Sequence, residues 1–109
     1  MNELKVFQNS EFGELGVLII DGKEFLPASQ CAKILGYTNP RDAIKRHCKS
    51  EGVVKHDGVS YTTNQHGVTS QQITEIKYIS EGNLYRLIIR SKLPSAEKFE
   101  RWVFDEVLL

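Results

Sequence analysis

Cys31, His47, Cys48, His56 and His66 are the side chains of this chain best suited to hold a transition metal. Their spacing argues against that chemistry, because no pair follows the Cys-x2–4-Cys or His-x3–5-His pattern of tetrahedral zinc sites. Both cysteines fall on apolar faces of expected helices, where a thiol behaves as a small hydrophobe. His47 reads as a packed or hydrogen-bonded histidine. Glu97, Glu100, Asp105 and Glu106 spread along an exposed helix face instead of clustering as metal-dependent nuclease chemistry requires, and Glu97 stands four residues before Arg101 as an i,i+4 pair. There is no glycine-rich phosphate loop and no Ser/His/Asp arrangement. The expectation is a protein that is not an enzyme and needs neither metal nor cofactor.

The cations carry more information. The 109 residues hold 14 basic and 14 acidic side chains, so the formal net charge is zero. Zero net charge argues weakly against a nucleic-acid partner, but the distribution is uneven. Residues 33–56 place Lys33, Arg41, Lys45, Arg46, Lys49 and Lys55 against Asp42 and Glu51, and residues 86–92 add Arg86, Arg90 and Lys92 without a carboxylate. The flanking segments are net acidic. A polyanion responds to local potential and not to the total.

Two short helices are expected to present the first cationic group. Pro27 breaks a strand, and Ala28, Cys31, Ala32 and Leu35 then recur at i, i+3, i+4 and i+7, the spacing of one helix face. Gly36 suits the left-handed position that ends a helix. Asn39 fits an N-cap and Pro40 the first helical position, with Asp42 favoured in the first turn. The second helix is expected to run to about Lys49, with Gly52 stopping the run. Ala43, Ile44, His47 and Cys48 share one face, and Arg41, Lys45 and Lys49 another at i, i+4 and i+8, with Arg46 beside them. A pair at about 28–35 and 40–49 has the form of a helix-turn-helix, whose second helix offers N-terminal residues to base edges. Asn39, Arg41, Asp42, Lys45 and Arg46 would be presented there. Lys49 and Lys55 would neutralise phosphate. From spacing alone, a solvated basic face is the plainer alternative.

The remaining elements read as follows. Residues 4–9 and 15–20 are strands joined by a turn at Gly13, and Asp21-Gly22 turns the chain into a third strand, Lys23–Leu26. Val53–His56, Asp57-Gly58 and Val59–Thr63 read as a second hairpin, whose tip carries Lys55, His56 and Asp57 and which could serve as a wing; a plain sheet hairpin is the simpler alternative. Asn64–Gln71 is a polar, exposed loop and Gln72–Ile79 another strand. Ser80 caps a helix over about 81–90, with Leu84, Tyr85, Leu87, Ile88 and Ile89 at helical spacing. Pro94 separates it from a last helix at about 95–108, whose stripe is Ala96, Phe99, Trp102, Val103 and Val107. Tyr85, Phe99 and Trp102 are expected in the core. The fold class is α+β: small antiparallel hairpins with two helix pairs.

The chain is 40% hydrophobic and 26% charged, ordinary for one folded domain. No apolar run approaches the roughly 20 residues that span a bilayer, and the first residues lack a signal peptide's pattern. Two cysteines make no disulfide framework, so an intracellular, reducing setting is expected.

Two blocks of residues resemble the BRO N-terminal domain of prophage antirepressors and large-DNA-virus proteins. The first is Leu35-Gly36-Tyr37, Asn39-Pro40-Arg41, Ala43-Ile44 and His47. The second is Ile79-Ser80-Glu81-Gly82, Leu84-Tyr85-Arg86-Leu87-Ile88, Arg90-Ser91-Lys92, Pro94, Phe99, Trp102-Val103 and Glu106-Val107-Leu108. The likeness covers the chain from about Leu18. Gln30 departs from an acidic residue common in that family, and Cys31 from a valine. The resemblance implies one DNA-binding domain over residues 1–109, taken from a longer antirepressor-like regulator in a bacterial cytoplasm.

The resulting expectation is a double-stranded DNA-binding domain with Asn39, Arg41, Lys45, Arg46, Lys49 and Lys55 as contacts and Arg86, Arg90 and Lys92 as a second patch. The alternative is a module that binds a phage repressor without touching DNA, through the acidic strands of residues 1–24 and the helix at 96–108. A homodimerising unit is a third, since DNA readers are often symmetric. No membrane association is expected.

Overall fold

The chain opens with a meander whose turns the sequence dictates. The computed structural model describes residues 2–108, with side chains at all of them except 2, 59–63, 71 and 72. Strands β1 (Asn2–Asn9) and β2 (Gly13–Ile20) pair antiparallel from Asn9↔Gly13 to Asn2↔Ile20. The Asn9 side-chain carbonyl accepts from the N–H groups of Glu11 (2.7 Å) and Phe12 (3.0 Å), which shapes the connection. Asp21 and Gly22 both take positive φ, 50° and 78°, as a two-residue type I′ turn demands, and lead into β3 (Lys23–Pro27).

Helix α1 (Ala28–Ile34) follows β3 directly. It ends in a Schellman arrangement: Tyr37 N–H bonds to the Ala32 carbonyl and Gly36 N–H to that of Lys33, each at 3.0 Å, with Gly36 at φ +86°. Helix α2 (Pro40–His47), a single 3-10 turn (Ser50–Gly52), strands β4 (Val53–Thr63) and β5 (Thr69–Ser80), helix α3 (Glu81–Arg90), helix α4 (Ala96–Trp102) and a π turn (Val103–Val107) complete the chain. The five strands form one antiparallel sheet in the order β1-β2-β3-β5-β4. The α+β class expected from the sequence is the fold observed.

One face of the sheet supplies Leu15, Val17, Leu26 and Ile79, all fully buried, to a core shared with the helices. Phe12 packs edge-on to Phe99 with centroids 5.2 Å apart and stacks on Trp102 at 5.9 Å. Ala28, Cys31, Ala32 and Leu35 of the first predicted stripe are buried, as are Ala96, Phe99, Trp102, Val103 and Val107 of the last. Fully burying one such large side chain is worth about 1.5–3 kcal/mol, so these stripes dominate the packing energy. Among the described residues no helix is long and apolar enough to cross a membrane.

Three expectations need correction. Asp57-Gly58 is no turn: β4 continues through it, pairing Gly58 with Thr74, and Gly58 keeps extended backbone. A side chain at 58 would overlap Ile76, so this glycine answers a packing need. The reversal lies at 64–68. There the Asn64 side-chain carbonyl accepts from the N–H groups of His66 (2.9 Å) and Val68 (3.1 Å), and Gly67 takes φ +80°. Lys55, His56 and Asp57 therefore sit near the root of a long hairpin and not at its tip. Tyr85 is the second correction, being 49% exposed, with Ile89 at 59%. Helix α3 buries Leu84, Leu87 and Ile88 against its neighbours, and one stripe of limited width cannot also take positions 85 and 89. The third concerns α2, which ends two residues earlier than expected; its cause lies in the site.

Candidate nucleic-acid interface

Helix α2 is fixed at both ends by side chains from α3 and its flanks. At its start, the Asn39 side chain accepts from Asp42 N–H at 3.2 Å and Pro40 occupies the first turn. The turn before it is tied to α3 twice, by Tyr37 O–H donating to the Leu87 carbonyl and by Ser91 O–H donating to the Leu35 carbonyl, each at 2.7 Å. Burial raises the pKa of Tyr37, against a lowering pull from Arg90, so the phenol stays a donor at neutral pH.

At its end, the helix meets Asn83. This side chain is fully buried, accepts from Lys49 N–H and donates to the Lys49 carbonyl, both at 2.9 Å. Arg86 donates to the same Asn83 oxygen at 3.0 Å. The clasp holds Lys49 in an extended conformation (φ −85°, ψ 137°), so the helix stops at His47. A side chain at Gly52 would strike Asn83 and Ser80, which explains why glycine follows the clasp. Ser80 caps α3 as expected, accepting from Asn83 N–H at 3.3 Å.

With Ala43 and Ile44 buried, α2 turns Arg41 and Lys45 outward. They do not stand alone. One groove is lined by Lys33 of α1, Arg41 and Ile44 of α2, and Glu75, Ile76 and Lys77 of β5. A second, sharing Arg41, Ile44 and Lys77, is lined by Lys45, Cys48, Val53 and Lys55. Together they make a strip between the helix pair and the hairpin root. Lys33, Arg41, Lys45, Lys55 and Lys77 converge on it from four elements. Among the described residues Glu75 is the one carboxylate lining it, 3.8 Å from the Lys55 ammonium. An exposed pair at that distance is worth at most about 1 kcal/mol and leaves the strip positive. Lys55 and Lys77 are direct cross-strand partners, a like-charge pairing that costs local stability.

The other predicted residues lie elsewhere. Asn39, Arg46, His47, Arg90 and Lys92 line a separate hollow with Tyr37 and Thr38. There Arg46 is bound to Asp42 at 3.0 Å, and the Asn39 oxygen is engaged in capping. Lys49 and Arg86 line a third hollow with Lys23 and Glu51. The expected i, i+4, i+8 stripe therefore stops after two members: Lys49 has left the helix and lines a different hollow from Arg41 and Lys45. The sequence reading missed Lys33 and Lys77 as members of the strip and Asn83 as the fastener. Lys77 becomes visible once the hairpin turn is placed at 64–68, because that register sets it opposite Lys55.

Other chemistry is sparse. Among the described residues no three His, Cys, Asp or Glu side chains gather in a way that could hold a metal ion. Cys31 is fully buried and its thiol is pushed far up by that burial; Cys48 is half-buried and raised by burial, with Arg86 pulling it down. The predicted helix-face pair is present, Arg101 donating to Glu97 at 2.9 Å.

Comparison with known proteins adds the following. The family model of the BRO family, N-terminal domain, matches residues 14–109. A Haemophilus influenzae protein of unassigned function is 43% identical over 105 residues, covering 94% of this chain and 48% of its own length. A Bro-N domain-containing protein of Invertebrate iridescent virus 6 is 33% identical over 98 residues, covering 82% of this chain and 23% of its own. The chain thus spans half or less of the length of these relatives. No solved structure matches.

Proposed function

Because the chain belongs to the BRO family N-terminal domain, we propose that it is the DNA-binding module of a phage- or prophage-type antirepressor-like regulator acting in the bacterial cytoplasm. The strip between α1–α2 and the hairpin root holds the duplex backbone. Arg41 and Lys45 supply the α2 contacts, and Lys33, Lys55 and Lys77 add phosphate contacts from the other elements. The observation that carries this reading is the convergence of those five cations on a strip that, among the described residues, one carboxylate lines, in a chain of zero net charge. A phosphate between Lys55 and Lys77 would relieve their mutual repulsion.

The test is the affinity for a mixed-sequence duplex at several salt concentrations, read by fluorescence anisotropy. Each neutralised phosphate contributes about 0.9 to the slope of log K against log salt. Wild-type protein is expected to show a slope of about 3 to 4, and Arg41→Ala/Lys45→Ala to lose about 2 of it. Binding that ignores salt, or is indifferent to that pair, overturns the reading.

A second reading, a phage repressor as the partner, is favoured by one observation. Tyr85 and Ile89 lie half-exposed one turn apart on α3, with the Phe104 ring 6.3 Å from Tyr85. Exposed aromatic and aliphatic neighbours of this kind suit a protein contact. Loss of repressor capture in Tyr85→Ala/Ile89→Ala, with DNA affinity unchanged, would support it. Light scattering decides whether the module works as a homodimer.

A further inference from the structure

Beyond the strip, the β4–β5 hairpin runs on as a free arm. Strand β3 pairs with β5 only from Tyr78 to Ser80, so among the described residues β4 and β5 have no other strand partner from Lys77 to the turn. From Gly58 to the tip the arm is roughly 20 Å long, at about 3.3 Å per residue.

Its composition sets it apart from the rest of the chain. Residues 58–74 contain no Asp, Glu, Lys or Arg, in a chain that is 26% charged. In place of charge they carry Ser, Thr, Asn, Gln, Tyr and His, with single aliphatics. Gln65, His66 and Ser70 are exposed, and Val68 and Ile73 stand 57% and 76% open. The Asn64 carbonyl is spent on the turn, which fixes the tip's shape. Two-stranded ribbons fit the major groove, about 12 Å wide. Adenine is read by Asn or Gln and thymine by methyl contacts, whereas Arg and Lys serve guanine and the phosphates.

We propose that this uncharged arm enters the major groove and reads base pairs, favouring A·T steps, while the cationic strip at its root grips the flanking phosphates. Gln65 matches the paired donor and acceptor of adenine, and Val68 or Ile73 the thymine methyl. The inference rests on the DNA-binding reading. Pairing with the arm of a second copy is less favoured, because hydrogen-bonding residues far outnumber aliphatics in the arm's sequence.

The experiment selects from a randomised duplex pool and sequences the bound fraction, alongside the salt slope on the mixed-sequence duplex. Three proteins are compared: wild type, a short-arm variant with residues 60–72 replaced by Asn-Gly between Val59 and Ile73, and Gln65→Ala/Ser70→Ala. Wild type is expected to enrich A·T-containing sites. The short arm should keep its salt slope and lose at least tenfold of that enrichment, and the double substitution several-fold. If the short arm fails to fold by circular dichroism, the double substitution decides alone. Unchanged enrichment with intact binding overturns the arm's role and leaves the DNA reading standing. So does a wild-type dimer that becomes monomeric on shortening with enrichment unchanged, which would assign the arm to self-pairing. Wild-type binding without a salt slope removes both.

Discussion

Arg41 and Arg46 sit on the same helix, less than two turns apart, and the molecule uses them differently. Arg46 is held 3.0 Å from Asp42 and faces the hollow it shares with Arg90 and Lys92. Arg41 has no ion-pair partner among the described residues and lines the strip with Lys33, Lys45 and Lys77. A count of cations along the chain treats both alike. What separates them is which other elements arrive beside them: α1 and the hairpin root bring more positive charge to Arg41, while Arg46 meets its own helix's carboxylate.

The largest effect that tests this contrast removes the fastener. Asn83→Ala takes the partner from the part-buried Lys49 N–H, leaves the Lys49 carbonyl with Gly52 N–H alone, and frees Arg86. An unsatisfied buried group costs about 1–3 kcal/mol, so a loss of about 2 kcal/mol is expected in urea denaturation. If stability holds, the clasp does not set the end of α2. Next comes the contrast itself: Arg41→Ala/Lys45→Ala should weaken duplex binding by more than tenfold, whereas Arg90→Ala/Lys92→Ala should change it by less than threefold. Arg46→Ala should behave like the second pair and alter stability by under about 0.5 kcal/mol, as befits an exposed i,i+4 bridge. Equal losses from both pairs would spread the interface around the helix.

Smaller again is Gly36→Ala. The residue has φ +86°, and an added Cβ would meet Leu93, so a cost of about 1–2 kcal/mol in thermal unfolding is expected without change in the salt slope. The smallest is a pH effect. Burial raises the pKa of Cys31 above the ordinary thiol value of 9.0. The folded state therefore keeps a proton that the unfolded state releases, and stability is lost as pH rises above 9, by about 1 kcal/mol at pH 10. Cys31→Ala should flatten that part of the profile.

Much of the fold was legible because its signals were local. The apolar periods of α1, α3 and α4, the Asp21-Gly22 turn, the Gly36 helix end and the Asn39-Pro40 start each depend on a few adjacent residues. The misreadings came from contacts distant in sequence. Gly58 looked like a turn residue, but its lack of a side chain makes room for Ile76 across the hairpin. Lys49 looked helical until Asn83, 34 residues later, took its backbone. Tyr85 matched an apolar stripe, and only the packing of α3 shows which side is covered. Arg41, Lys45 and Lys55 were readable as cations, but their meeting with Lys33 and Lys77 required the true register of β4 and β5.

Placement of duplex DNA on the strip, and not on the hollow across the helix, can be read residue by residue. Titrating a mixed-sequence duplex into isotopically labelled protein and following backbone amide shifts tests it directly. The largest shifts are expected at Lys33, Arg41, Lys45, Lys55 and Lys77, with residues 90–92 nearly still. Shifts concentrated at Arg46, Arg90 and Lys92, with the strip unmoved, would contradict it.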